Sequence, residues 1–224
     1  MVRLDATDER TGERGEWIVP PDVVDATEAH RGLLWWRWDE PVQVLSSAPV
    51  GGGWSRPSWL VNLGVPPDYA RTDLAAHAAH VSRTLGLLGA GPTLFTAADV
   101  TRVRGVEHEG VRVDSTVGVT APTWAADATG GCTAYRPGTI NIVVQVPVRL
   151  SAAALVNVAM TVTEAKTQAL LEAGVPGTGT ASDALAVVCP DQGDAEAFGG
   201  PRSPWGARVA LGVHASVAAG LAGH

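Results

Sequence analysis

Cysteine is nearly absent from this chain. Cys132 and Cys189 are the only two, which excludes a disulfide framework and a four-thiolate zinc site. No Cys-x-x-Cys spacing lowers a thiol pKa, so both read as small buried apolar residues. Long apolar runs are missing as well. None approaches the roughly 20 residues that cross a bilayer, and the N-terminal stretch MVRLDATDERTGERGEW carries charges where a signal peptide has its hydrophobic segment. The expected location is therefore the cytoplasm, with no membrane partner. A basic excess is also lacking: the formal charge is -7 with both signs interspersed, without the basic stripe that a nucleic acid requires. Phe and Tyr are scarce at two each, yet there are eight Trp. Most of these are expected as core anchors, with a few available to line a pocket for a large flat ligand.

What is present supports one folded unit. A chain of 224 residues, 46% of them hydrophobic, has the size and apolar content for one core. Residues 1–16 are charged and turn-rich and read as a flexible lead-in, with the domain over residues 17–224. Two strands within residues 32–49 flank Asp39-Glu40-Pro41 as a hairpin. A further strand over 58–65 is entered through Gly51-Gly52-Gly53 and stopped by Pro66-Pro67. Asp73 caps a helix over 74–88 that stops at Gly89. Strands follow over 93–101, 111–120 and 139–150. The last places Ile140, Ile142, Val144 and Val146 on one face and Thr139, Asn141, Val143 and Gln145 on the other. Residues 121–138, with Trp124, Asp127, Gly130, Gly131, Tyr135 and Arg136, are long for a connection and fit a lid or binding loop. Ser151 caps a helix over 152–173 closed by Gly174; a strand over 184–189 and a helix over 205–221 complete the chain. This pattern predicts an α+β domain, a mixed β-sheet with packed helices, with α/β as the alternative.

Two features stand out as chemistry. On a helical wheel, Leu155, Val158, Ala159, Val162, Ala169 and Leu170 share one apolar side, with Lys166 in its middle. Glu164 points about 200° away. A lysine there either snorkels to water or is buried with an anionic partner, and Asp183 is the partner to name. The segment Gly177-Thr178-Gly179-Thr180-Ala181-Ser182-Asp183 packs two glycines, three hydroxyls and a carboxylate ahead of a buried strand. Its residues suit an oxygen ligand or a developing oxyanion, and equally an ordinary turn. Phosphate-loop, dinucleotide and Gly-x-Ser-x-Gly patterns are absent. His77 and His80, three apart, read as solvated surface histidines rather than metal ligands.

Four stretches in order give the chain a family resemblance: Val44-Leu45-Ser46-Ser47-Ala48-Pro49; Gly138-Thr139-Ile140-Asn141-Ile142; Asn157 leading to Thr163-Glu164-Ala165-Lys166-Thr167; and the Gly177 to Asp183 turn into Ala184. Asn62, residues 96–99 and Ser115-Thr116-Val117-Gly118 are weaker echoes. In these the chain resembles the adenosylcobinamide amidohydrolase family. Ser182 stands where the family usually has threonine, and Gly200-Pro201-Arg202-Ser203 replaces a Gly-Lys-His-Thr type segment. The resemblance implies hydrolysis of adenosylcobinamide to adenosylcobyric acid and 1-amino-2-propanol in corrinoid salvage. It implies a corrinoid as the small-molecule partner, whose cobalt belongs to the substrate, and no cofactor or metal of the enzyme. Asp183 or Glu164 is then the candidate base, and Lys166 or Thr180 the electrostatic stabiliser. Covalent attack through Thr180 or Ser182 and direct attack by water both stay open. Ser46, Ser47, Asn62, Thr139, Asn141, Thr178 and Ser182 are the candidate substrate contacts, with Thr139, Asn141 and Thr180 expected along one cavity. The competing readings are a non-catalytic corrinoid-binding module and an amidohydrolase for another corrinoid or amide.

Overall fold

Strands with apolar side chains on both faces need cover on both sides. A computed structural model, which describes residues 17–28, 30–128 and 138–222, shows how this chain provides it. One sheet has the order β1 (Asp22–Val24), β2 (Leu33–Arg37), β5 (Trp59–Gly64), β6 (Thr93–Thr96). The other has the order β4 (Gly53–Ser55), β3 (Val42–Ser46), β10 (Ala184–Pro190), β9 (Thr139–Gln145), β8 (Val111–Gly118), β7 (Arg104–His108). Both are mixed, since β5 runs parallel to β6 and β9 parallel to β10 while the other pairs are antiparallel. The helices are α1 (Leu74–Thr84), α2 (Ala152–Glu172) and α3 (Pro204–Leu221). Among the described residues no helix is long and apolar enough to cross a membrane.

Three apolar clusters set the layers. Val81 of α1 packs with Leu33, Val61 and Leu63 on one face of the four-stranded sheet. The other face sends Leu34, Trp36, Leu60 and Leu94 against Val44, Val143, Ala186 and Val188 of the six-stranded sheet. Beyond it, Ile140, Ile142, Val144 and Val187 meet Leu155, Val158 and Val162 of α2 and Val209, Val213 and Val217 of α3. The layers therefore run helix, sheet, sheet, helices. This is the α+β class read from the sequence, with the strands divided between two sheets rather than joined in one.

The hairpin about Asp39-Glu40-Pro41 is corrected. β2 and β3 do not pair: β2 lies between β1 and β5, and β3 between β4 and β10. The backbone N–H groups flanking the turn instead donate to the segment ahead of β5, Trp38 to Ser58 O and Val42 to Pro57 O, both at 2.9 Å. The turn thus carries the chain from one sheet to the other. α1 also ends earlier than read, at Thr84, because Gly86 already takes a left-handed turn (φ 68°), three residues before Gly89 takes another (φ 75°). Asp73 makes no side-chain cap, since its carboxylate is held by Arg71 Nε at 2.8 Å and Nη2 at 2.6 Å. α2 follows its reading closely: Ser151 Oγ accepts from Ala154 N at 3.1 Å, and Gly174 (φ 74°) lies beyond its end. Unpredicted β7 joins β8 through Glu109 (φ 45°) and Gly110 (φ 81°), the two positive angles of a tight hairpin.

Candidate active site

Lys166 sits on the buried side of α2, and only 9% of it is exposed. Its Nζ donates to Asp183 Oδ2 at 2.5 Å, so the lysine is paired with the expected carboxylate and does not snorkel. Three further donors converge on that carboxylate. Thr180 N reaches Oδ2 at 3.1 Å; Ile140 N and Thr180 Oγ1 reach Oδ1 at 2.9 and 2.5 Å. One carboxylate therefore ties α2, the first residues of β9 and the turn before β10 together. Gly179 makes the approach possible, because a Cβ there would lie 2.6 Å from Lys166 Nζ and closer still to Asp183 Oδ2.

The hydroxyl turn is held from two sides. The single hydrogen of Thr180 Oγ1 is shared between Asp183 Oδ1 and Gly138 O, the latter at 2.8 Å; Ser182 Oγ donates to Gly138 O at 3.0 Å and meets Thr139 Oγ1 at 2.8 Å. Thr123 N donates to Gly179 O and Thr178 N to Thr123 O, both at 2.8 Å, while Thr178 Oγ1 accepts from Ala125 N at 2.9 Å. The backbone on both sides of Trp124 is thus fixed against the turn, while Trp124 itself stays 49% exposed. Gly130, Gly131, Cys132, Tyr135 and Arg136 lie outside the described residues.

A cavity of about 310 Å³ opens beside this cluster, where the ends of β6, β9 and β10 meet the start of α1. Its polar wall includes Thr96, Thr139 and Ser182; Val65, Tyr69 and Phe95 supply apolar surface, and Arg71 also lines it. Tyr69 is fixed by a 2.7 Å hydrogen bond between its hydroxyl and His77 Nδ1, in a packed trio with Phe95. His77 is buried, not the solvated residue read from the sequence, while His80 is exposed. Tyr69 and Phe95 escaped sequence analysis, because aromatic residues in separate loops and strands carry no periodic signal of a shared wall.

Of the other candidate residues, Thr139 lines the cavity and Thr180 touches Asp183. Asn62 and Asn141 are sealed between the sheets. Asn141 Nδ2 donates to Asn62 Oδ1 at 2.8 Å and Phe95 O at 2.9 Å, and Asn62 Nδ2 to Thr116 Oγ1 at 3.1 Å. Asn141 Oδ1 is buried with no partner among the described residues. Ser46 Oγ donates to Leu185 O at 2.8 Å, and Ser47 Oγ accepts from Leu185 N at 3.0 Å, so both hydroxyls fix the β3–β10 edge. Glu164 is exposed on the outer side of α2 with Thr163, Gln168 and Leu171 around it. Ser203 caps α3, its Oγ accepting from Gly206 N at 3.1 Å, so Gly200-Pro201-Arg202-Ser203 forms the entry to that helix. Cys189 is buried in the core, and burial pushes its thiol up to about 11.

The matching sequences bear on what this arrangement serves. An adenosylcobinamide amidohydrolase from Methanosarcina mazei is 28% identical over 186 residues, covering 78% of this chain and 88% of that protein. One from Halobacterium salinarum is 33% identical over 200 residues, covering 80% and 84%. Among solved structures, the PH0078 protein from Pyrococcus horikoshii OT3 overlays with a TM-score of 0.46 at 11% identity, covering 85% of this chain and 77% of that one. The profile of the adenosylcobinamide amidohydrolase (CbiZ) family matches residues 20–224, and the chain belongs to that family.

Proposed function

We propose that the protein hydrolyses the amide between the corrinoid side chain of adenosylcobinamide and its aminopropanol, giving adenosylcobyric acid and 1-amino-2-propanol in corrinoid salvage. Family membership supports the reaction. The observation that carries its placement is the carboxylate of Asp183, bound at 2.5 Å both to Lys166 Nζ and to Thr180 Oγ1. An amide is a poor electrophile with a poor leaving group, so its cleavage needs an attacking oxygen, charge stabilisation and a proton donor for nitrogen.

In this reading Thr180 Oγ1 attacks the amide carbonyl, and its proton passes to Asp183 Oδ1. The carbon–nitrogen bond breaks, the nitrogen takes that proton and leaves as the amine. Water then adds to the carbonyl carbon and releases the acid, its second proton restoring the threonine hydroxyl. Lys166 holds Asp183 in place and supplies positive charge beside the oxygen that becomes negative. Glu164, on the exposed side of α2, is left out of this scheme. These groups need no resident metal or organic cofactor for the steps described, and the cobalt travels with the substrate. The proposed place of work is the cytoplasm.

The test is incubation of the protein with adenosylcobinamide and mass spectrometry of the products. Adenosylcobyric acid and 1-amino-2-propanol in equal amounts support the reaction. Tight binding of an intact substrate makes the protein a corrinoid-binding module instead, and turnover confined to other corrinoids reassigns the substrate. Rapid quenching should trap a cobyric acyl group on Thr180; its absence under burst conditions, with turnover retained in Thr180→Val, assigns the attack to water.

A further inference from the structure

We infer that the 310 Å³ cavity beside the hydroxyl turn is the subsite for the departing amino alcohol, an inference that rests on the proposed amide hydrolysis. Size is the first argument. The volume is at the small end of the roughly 300–1,000 Å³ found for small-molecule sites. It takes a short side arm of a corrinoid and excludes the macrocycle, which must stay outside.

Position is the second. Thr139 and Ser182 stand on the cavity wall, and Ser182 shares its acceptor, Gly138 O, with Thr180. The wall is therefore two hydrogen bonds from the hydroxyl that contacts Asp183. An arm seated in the cavity brings its amide bond to the rim next to the proposed nucleophile.

Hydrogen-bond inventory is the third. The hydrogen of Ser182 goes to Gly138 O, so Thr139 donates to Ser182 and keeps lone pairs to accept a bond. Thr96 Oγ1 already accepts from Ala98 N at 3.0 Å, and its own hydrogen has no acceptor among the described residues. The cavity thus offers an acceptor at Thr139 and a donor at Thr96, separated by apolar surface from Tyr69 and Phe95. A short chain with an N–H at one end and a hydroxyl nearby satisfies both. The charge of Arg71 is already matched by Asp73, so the cavity has no unpaired cation for a phosphate.

The probe is 1-amino-2-propanol itself, titrated into isotope-labelled full-length protein. Backbone amide signals of Phe95, Thr96, Ala97 and Ser182 should shift together and saturate, and the amine should inhibit adenosylcobinamide turnover. Ala97→Leu narrows the cavity without touching the hydroxyl turn. It should weaken amine binding and raise KM for adenosylcobinamide about tenfold or more, with kcat and thermal midpoint nearly unchanged. Shifts confined to other parts of a folded protein, or wild-type amine binding and KM in Ala97→Leu, overturn the subsite. Amine binding at these amides in a protein that leaves adenosylcobinamide intact sinks the proposed reaction and leaves the subsite standing.

Discussion

Two ion pairs withdrawn from solvent differ in what holds them. Arg112 and Asp114 stand two residues apart on β8, where Arg112 Nε and Nη2 reach the two carboxylate oxygens at 3.0 and 2.8 Å. Trp36 Nε1, from the other sheet, adds a bond to Asp114 Oδ2 at 3.2 Å. Burial pushes the Asp114 carboxyl above its ordinary value despite the guanidinium beside it. Lys166 and Asp183 join a helix to a loop, next to a cavity and a row of hydroxyls. The first pair fixes one sheet against the other; the second ties ionisable and hydroxyl groups together beside a cavity. Buried charge alone therefore does not mark a site, and a cavity with free hydroxyl valences beside it separates the two cases.

The largest expected effect breaks the structural pair. Asp114→Ala leaves the guanidinium of Arg112 with only Glu107 at the surface and strands the Trp36 indole N–H. Stability should fall by about 3 kcal/mol in denaturant unfolding, while the activity of the remaining folded fraction stays near wild type. A loss of activity per folded molecule would erase the distinction drawn between the pairs. Asp183→Asn tests the other member: turnover should drop at least about a hundredfold, the scale for losing a general base, with the fold retained. A variant that merely melts earlier at full turnover would make Asp183 a turn clamp.

A smaller effect is expected between the sheets. Asn141→Leu removes the donor to Asn62 Oδ1 and Phe95 O and should cost about 2 kcal/mol, measured as a shifted urea midpoint at unchanged slope. An unchanged midpoint would show that the network adds nothing to sheet docking. The smallest concerns exposed Glu172, whose carboxyl is held below its ordinary value by Gln168 and then His214. A depressed folded value means that this contribution is present above the unfolded value and is lost as pH falls through the folded one. Glu172→Gln should therefore lower stability slightly at neutral pH and flatten the acid side of the profile below about pH 4.5, where the original protein loses the same small contribution.

The helices and the strands β9 and β10 were legible as elements because their signals are local. α2 has a serine cap and an apolar stripe, β9 an apolar face of alternating residues, and β10 a short apolar run. Lys166 and the hydroxyl turn were legible as exceptions to those patterns. The division into two sheets was not. Asp39-Glu40-Pro41 has the same turn chemistry whether its flanking strands pair or part, and strand partners are chosen by contacts distant in sequence. The nearly unbroken apolar residues of β2 were the available sign that it is covered on both faces. β7 escaped because its alternation is only half-buried, and β1 and β4 because three residues each hold no period. Asn62 and Asn141 were named as substrate contacts, Asn141 along a cavity, and occupy the layer between sheets. The sequence pattern marked that face as polar without saying what it meets.

The central claim is that Lys166 and Asp183 are present for chemistry. The most direct test is the double variant Lys166→Met, Asp183→Asn, with turnover of adenosylcobinamide and thermal unfolding measured on the same preparation. Replacing both members leaves neither charge unpaired, so the fold should melt within a few degrees, roughly, of the original. Turnover should fall by at least about a hundredfold. A double variant that still releases 1-amino-2-propanol at close to the original rate would contradict the account and return the pair to a purely structural role.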